Sequence, residues 1–225
     1  MYSPTSANTI AKAPAIATVF EEKAMLLFLG YRLILYNKMK DMKHTILIVT
    51  GLGDSAETHW QNYWLQHFET AQKVIQKDWD NPLLEDWLES LNTAIESAEG
   101  EIIIVAHSLS CSLISHWSKE NKTHKIAGAL LVAPADVDSP EHTPEQIRNF
   151  SPIPLLKLDY PSIVITSSND PYISVERAAF LAEKWGSSFI NIGEKGHLNS
   201  ESELEYWEEG QEILQSLVQI IESNK

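Results

Sequence analysis

Glu101–Glu120, EIIIVAHSLSCSLISHWSKE, packs a strand, a serine and a helix into one unbroken stretch. The run Ile102-Ile103-Ile104-Val105-Ala106 has the length and β-branching of a fully buried strand. A short turn comes next, at His107-Ser108-Leu109-Ser110. Leu109, Leu113, Ile114 and Trp117 then recur at helical spacing. This is the setting of a nucleophile elbow, in which a sharp turn lifts a serine hydroxyl above the sheet and a helix N-terminus points at it. The pattern G-x-S-x-G is met as Ala106-His107-Ser108-Leu109-Ser110, with the two next smallest residue types in place of the glycines. Taken alone, Ser108 reads equally well as an ordinary N-cap, a position that serine favours. The rest of the chain has to separate the two.

The length of 225 residues suits a single α/β domain with a sizeable core. With 17 basic and 31 acidic residues the net charge is −14, which argues against nucleic acid and anionic membrane surfaces as partners. The single cysteine, Cys111, excludes an internal disulfide framework and fits a reducing, cytoplasmic compartment. It lies on the elbow helix, where a buried thiol is expected simply to pack.

Residues 1–41 differ in character from the remainder of the chain. Met1–Thr18 is rich in Ala, Ser, Thr and Pro without a usable period and reads as disordered. Ala24–Tyr36 is apolar apart from Arg32 but too short to span a bilayer. Glu21 and Glu22 before it, and the absence of a small-residue cleavage site after it, speak against a secretory signal. The expectation is a dispensable or non-native extension, then one domain over 43–225. Met42 immediately precedes that domain.

Within the domain, buried strands alternate with amphipathic helices. Thr45–Thr50 is a strand running into Gly51-Leu52-Gly53-Asp54-Ser55, and Thr58–Phe68 carries aromatic residues at mostly helical intervals. Gln72–Gln76 is a weak strand, and Pro82–Ala98 is a helix with Leu84, Trp87, Leu88, Leu91 and Ile95 as its core stripe. After the elbow come a strand at Ile126–Ala133 and a proline-rich loop at Asp138–Tyr160 that covers part of the site. A strand at Ser162–Thr166 precedes a helix at Val175–Trp185, which Gly186 stops. A last strand at Phe189–Ile192 and a helix over Glu203–Glu222 close the chain. The alternation predicts an α/β fold with a doubly wound, mostly parallel sheet flanked by helices and no large lid, its functional loops at the carboxyl ends of the strands.

Three of those strand ends carry the residue types of one catalytic machine. Ser108 follows the elbow strand, Asp170 follows the second strand after it, and His197 follows the third. A serine hydroxyl becomes a good nucleophile only when an adjacent base takes its proton, which an imidazole can do near neutral pH. A carboxylate must fix the imidazole tautomer and stabilise the imidazolium that forms. The order Ser, Asp, His is the one found in α/β-hydrolases. The oxyanion hole is expected from two backbone N–H groups, that of Leu109 after the nucleophile and that of Leu52 in the glycine-rich turn.

Each candidate has a duller rival. Asp170 precedes a proline and also reads as a turn residue, and Asp136 competes with it as the acid. His107 adjoins the serine and is a candidate pocket residue, expected to pack beside the elbow rather than to act as the base. His59 and Trp60 are candidate pocket residues, with aromatic core packing as the alternative. No metal is expected, since the histidines lack ligand spacing and one cysteine cannot build a thiolate zinc site. No organic cofactor is expected either: Gly51-Leu52-Gly53 lacks the third glycine of a dinucleotide fingerprint.

Over residues 43–220 the sequence resembles the small α/β-hydrolases related to retinoblastoma-binding protein 9 and bacterial YdeN. The resemblance rests on Val49-Thr50-Gly51-Leu52-Gly53, Trp60-Gln61-Asn62-Tyr63-Trp64 and Ala106-His107-Ser108-Leu109-Ser110-Cys111. It continues through Val132-Ala133-Pro134-Ala135-Asp136, Ser167-Ser168-Asn169-Asp170-Pro171 and Gly196-His197-Leu198-Asn199. It implies a compact serine hydrolase in which Ser108, Asp170 and His197 match the family triad. Two departures stand out: Ser110 where the family usually has glycine, and Glu201-Ser202-Glu203-Leu204-Glu205 where a glycine-bearing loop is common. The expected activity is cleavage of a small ester or amide through an acyl-serine. The rival readings are a protein-interaction module on a hydrolase scaffold and a small intracellular peptidase.

Overall fold

The computed structural model describes residues 43–225 and, upstream of them, Gly30 alone. The expectation that residues 1–41 form a disordered or non-native extension therefore concerns residues outside those described. Six strands form one sheet: β1 (Thr45–Val49), β2 (Ala71–Lys73), β3 (Ile102–His107), β4 (Ile126–Val132), β5 (Ser162–Thr166) and β6 (Ser188–Asn191). Their order is β2-β1-β3-β4-β5-β6, and every pairing is parallel, so the expected mostly parallel sheet is wholly so among the described residues. The four central strands are apolar along nearly their whole length because helices cover both faces. Each fully buried Ile or Leu in them contributes about 1.5–3 kcal/mol. The edge strands are short, and each carries polar residues at a sheet margin open to water.

The helices are α1 (Trp60–His67), α2 (Leu84–Ser97), α3 (Leu109–Glu120), α4 (Val175–Trp185) and α5 (Glu208–Ser223). Local chemistry sets their ends. The Ser174 hydroxyl accepts from the Arg177 N–H at the start of α4, and Gly186, at φ 69°, ends it in the left-handed conformation. The proline-rich segment between β4 and β5 holds a 3₁₀ turn, Glu145–Phe150, and no large lid. The final helix corrects the sequence reading. The sequence predicts it from Glu203, yet Glu203, Glu205 and Trp207 are all left-handed, and α5 begins only at Glu208. The cause is packing: the Trp207 indole folds back over Gly210, where an added Cβ would lie 2.3 Å from the ring.

Candidate active site

The carboxyl ends of β1, β3, β5 and β6 supply the site, as the sheet topology requires. At the end of β3 the chain turns into α3 through Ser108, whose backbone sits at φ 58°, ψ −123°. Such a conformation costs about 1–3 kcal/mol in a residue with a side chain and persists only where neighbours enforce it. Here the Ser108 N–H donates to the Val132 carbonyl at 2.9 Å, and the Cys111 N–H returns to the Ser108 carbonyl at 3.0 Å. Gly51 gives the turn its room. A Cβ there would lie 2.9 Å from the Ser108 Cβ and 3.1 Å from the His107 carbonyl oxygen. Ser110, the residue that replaces the usual glycine, is accommodated: its hydroxyl donates to the Thr50 carbonyl at 2.6 Å and ties the elbow helix to the end of β1.

The structure brings Ser108, His197 and Asp170 together. His197 Nε2 lies 2.8 Å from Ser108 Oγ, and Nδ1 lies 2.9 Å from each carboxylate oxygen of Asp170. A carboxylate accepts, so Nδ1 carries the ring proton and Nε2 is left to take the serine hydroxyl. All three side chains are largely buried. Asp170 is oriented in turn by the Tyr172 N–H, at 2.9 Å from Oδ1. The rival acid, Asp136, faces elsewhere: its carboxylate is engaged by Arg177 Nε at 3.2 Å.

Leu52 and Leu109 border the same cavity as Ser108. The Leu109 N–H is the first of α3, one of the donors that a helix start leaves without an intrahelical acceptor. In the glycine turn, the Gly53 N–H goes to the Trp79 carbonyl and the Asp54 N–H to the Gly51 carbonyl. Among the described residues no protein acceptor takes the Leu52 N–H.

The candidate pocket residues divide. His59 and His107 line the cavity, which has a volume of about 410 Å³. His59 caps α1, its Nδ1 accepting from the Gln61 N–H, and burial together with the nearby His197 lowers its pKa to about 4. Trp60 does not line the cavity. It is fully buried, edge-on to Trp64 and Trp207, because its indole fills the space between α1 and the segment that precedes α5. Cys111 packs as expected: its thiol points at the Ala106 and Val132 carbonyls, and burial pushes its pKa up. The segment between β4 and β5 does cover the site, placing Thr143, Pro144 and Ile147 in the cavity wall.

Sequence reasoning passes over three residues here. The Tyr172 ring lies 4.4 Å from the His197 ring. Asn169 Oδ1 accepts from the Gly196 N–H at 2.7 Å and from the Ser167 hydroxyl at 2.8 Å, joining the loop that bears Asp170 to the loop that bears His197. Gln61, fully buried, reaches the Val49 and Val105 carbonyls beneath the elbow. Asn169 and Gln61 both lie within the resemblance motifs, and that is their only signal.

A family model described as Serine hydrolase matches residues 46–216. The chain belongs to the serine hydrolase family. Solved structures agree with this family member. A YdeN-like hydrolase from Pectobacterium atrosepticum is 29% identical, with a TM-score of 0.71 over 85% of this chain and 97% of that one. The ydeN gene product of B. subtilis is 18% identical (TM-score 0.66; 79% and 100% covered), and a thermophilic esterase from Thermogutta terrifontis is 15% identical (TM-score 0.59; 80% and 91% covered). These two likenesses show the fold. A search of curated proteins returned no match. No helix among the described residues of this serine hydrolase is long and apolar enough to cross a membrane.

Proposed function

We propose that the protein cleaves a small carboxylic ester, or a small amide, through an acyl-Ser108 intermediate. His197 Nε2 takes the hydroxyl proton as Ser108 Oγ attacks the carbonyl carbon, and a tetrahedral oxyanion forms. The Leu52 and Leu109 N–H groups receive that oxyanion, a donor pair whose members are typically worth about 2.7–4 kcal/mol each. Imidazolium His197, held by the Asp170 carboxylate, returns the proton to the leaving alcohol or amine and the bond to it breaks. Water then enters, gives a proton to His197 Nε2 as its oxygen adds to the acyl carbon, and the imidazolium returns that proton to Ser108 Oγ as the acyl–oxygen bond breaks, releasing the acid. Every step draws on groups of the chain and water.

The observation that carries this reading is the two-ended hydrogen bonding of His197, with the serine on one nitrogen and the carboxylate on the other. The cavity beside it falls in the usual range for small ligands. Short-chain p-nitrophenyl esters test the proposal: wild-type protein is expected to turn them over and Ser108→Ala to fall by at least about 10³-fold in kcat. Equal rates for the two proteins would remove Ser108 from the reaction.

A further inference from the structure

Two buried ring N–H groups converge on successive carbonyls of the loop that bears the base. His107, the last residue of β3, lies with Nε2 2.9 Å from the backbone oxygen of His197. Trp60, at the start of α1, lies with Nε1 2.7 Å from the backbone oxygen of Leu198. A carbonyl only accepts, so His107 Nε2 carries its proton and donates. The peptide they grip is unusual. Leu198 is left-handed at φ 52°, directly after Gly196 at φ 60° and His197. A side-chain-bearing residue stays there only when its surroundings over-determine it.

We infer that His107 and Trp60 are positioning residues, whose N–H groups hold the carbonyls of His197 and Leu198 so that the imidazole stays aligned between Ser108 and Asp170. The inference rests on the acyl-serine reading. A grip on the backbone leaves both ring nitrogens of His197 free for the serine and the carboxylate. It also tolerates the charge that appears on the ring. The His107 ring is 4.9 Å from that of His197, and burial keeps its pKa well below the ordinary imidazole value, so it donates as a neutral group. A lysine at the same place could donate equally well but would oppose the imidazolium. The competing explanation is that both rings merely fill the core, and it makes no distinction between a side chain with an N–H and one without.

That distinction is the test. His107→Leu and Trp60→Phe remove a donor while keeping much of the packing, whereas His107→Gln keeps an amide N–H within reach. With a small p-nitrophenyl ester, the first two are expected to lose at least about tenfold in kcat, with KM changed less than about threefold, since loss of alignment removes transition-state rather than ground-state stabilisation. His107→Gln is expected to recover most of the loss. ¹⁵N-edited NMR reads the same geometry without turnover. The His197 Nδ1–H shared with Asp170 should be visible in wild type and His107→Gln, and broadened or lost in His107→Leu. Should His107→Leu fail to fold, Trp60→Phe with its aromatic packing retained carries the comparison. A folded His107→Leu with wild-type kcat and an intact Nδ1–H signal overturns the inference, as does an equal loss in His107→Gln and His107→Leu. Wild-type protein inert toward esters contradicts the hydrolase reading instead, and the NMR comparison then decides the clamp by itself.

Discussion

Ser108 and His197, the nucleophile and base of the proposed reaction, are placed by opposite means. Ser108 is held by main chain: a buried strand runs into it, a helix leaves it, and its N–H and carbonyl are bonded to β4 and to its own helix. His197 sits in irregular chain, and long side chains hold its loop: His107, Trp60 and Asn169 each bond a backbone group of residues 196–198. The elbow should therefore be sensitive to added volume and the base loop to lost polar contacts. The contrast teaches that one catalytic apparatus can combine a position set by secondary structure with one set by tertiary hydrogen bonds.

The largest break is expected on the base side. Asp170→Asn keeps the shape but favours the wrong imidazole tautomer, and kcat for a p-nitrophenyl ester should fall on the order of 10⁴-fold. Next comes a group between the two regions, His59. Its folded pKa of about 4 lies below the ordinary imidazole value of 6.5. Between those values the unfolded chain binds more protons, so stability rises with pH there. His59 alone costs up to about 3 kcal/mol as the pH falls through that window. Urea titrations of wild type and His59→Gln from pH 7 to 4 check this: the variant should show a slope shallower by about one proton in mid-window, and parallel curves would contradict it.

On the elbow side, Gly51→Ala pushes a methyl against Ser108 and should cost about 1–3 kcal/mol in thermal unfolding, with a fall in kcat. Unchanged stability and rate would show that the elbow has slack that the close approach denies. The smallest effect sharpens the comparison. Asp136→Asn touches the Arg177 pair and not His197, so ester turnover should change less than about twofold. A loss approaching that of Asp170→Asn would make Asp136 the acid.

The same division explains how much is legible in the sequence. The runs at 45–49, 102–107, 126–132 and 162–166 announce themselves because both faces of a parallel sheet are covered, leaving continuous apolar stretches. The edge strands 71–73 and 188–191 carry polar residues and leave faint signals. The placement of Ser108, Asp170 and His197 at strand ends follows from topology. The bonds from His107 to residue 197 and from Trp60 to residue 198 do not, because a side chain reaching a backbone carbonyl far along the sequence leaves no local pattern. The start of α5 escapes the sequence for a related reason: Glu203–Glu205 has helix-forming residues, and the tertiary packing of Trp207 on Gly210 overrides them.

Intact-mass analysis after exposure to a fluorophosphonate tests the central claim most directly, because that reagent reports a serine activated by its base. Wild-type protein should gain a single adduct on the peptide containing Ser108, His197→Ala should react far more slowly, and Ser108→Ala should stay unmodified. Labelling of Ser108→Ala at the wild-type rate would contradict the account.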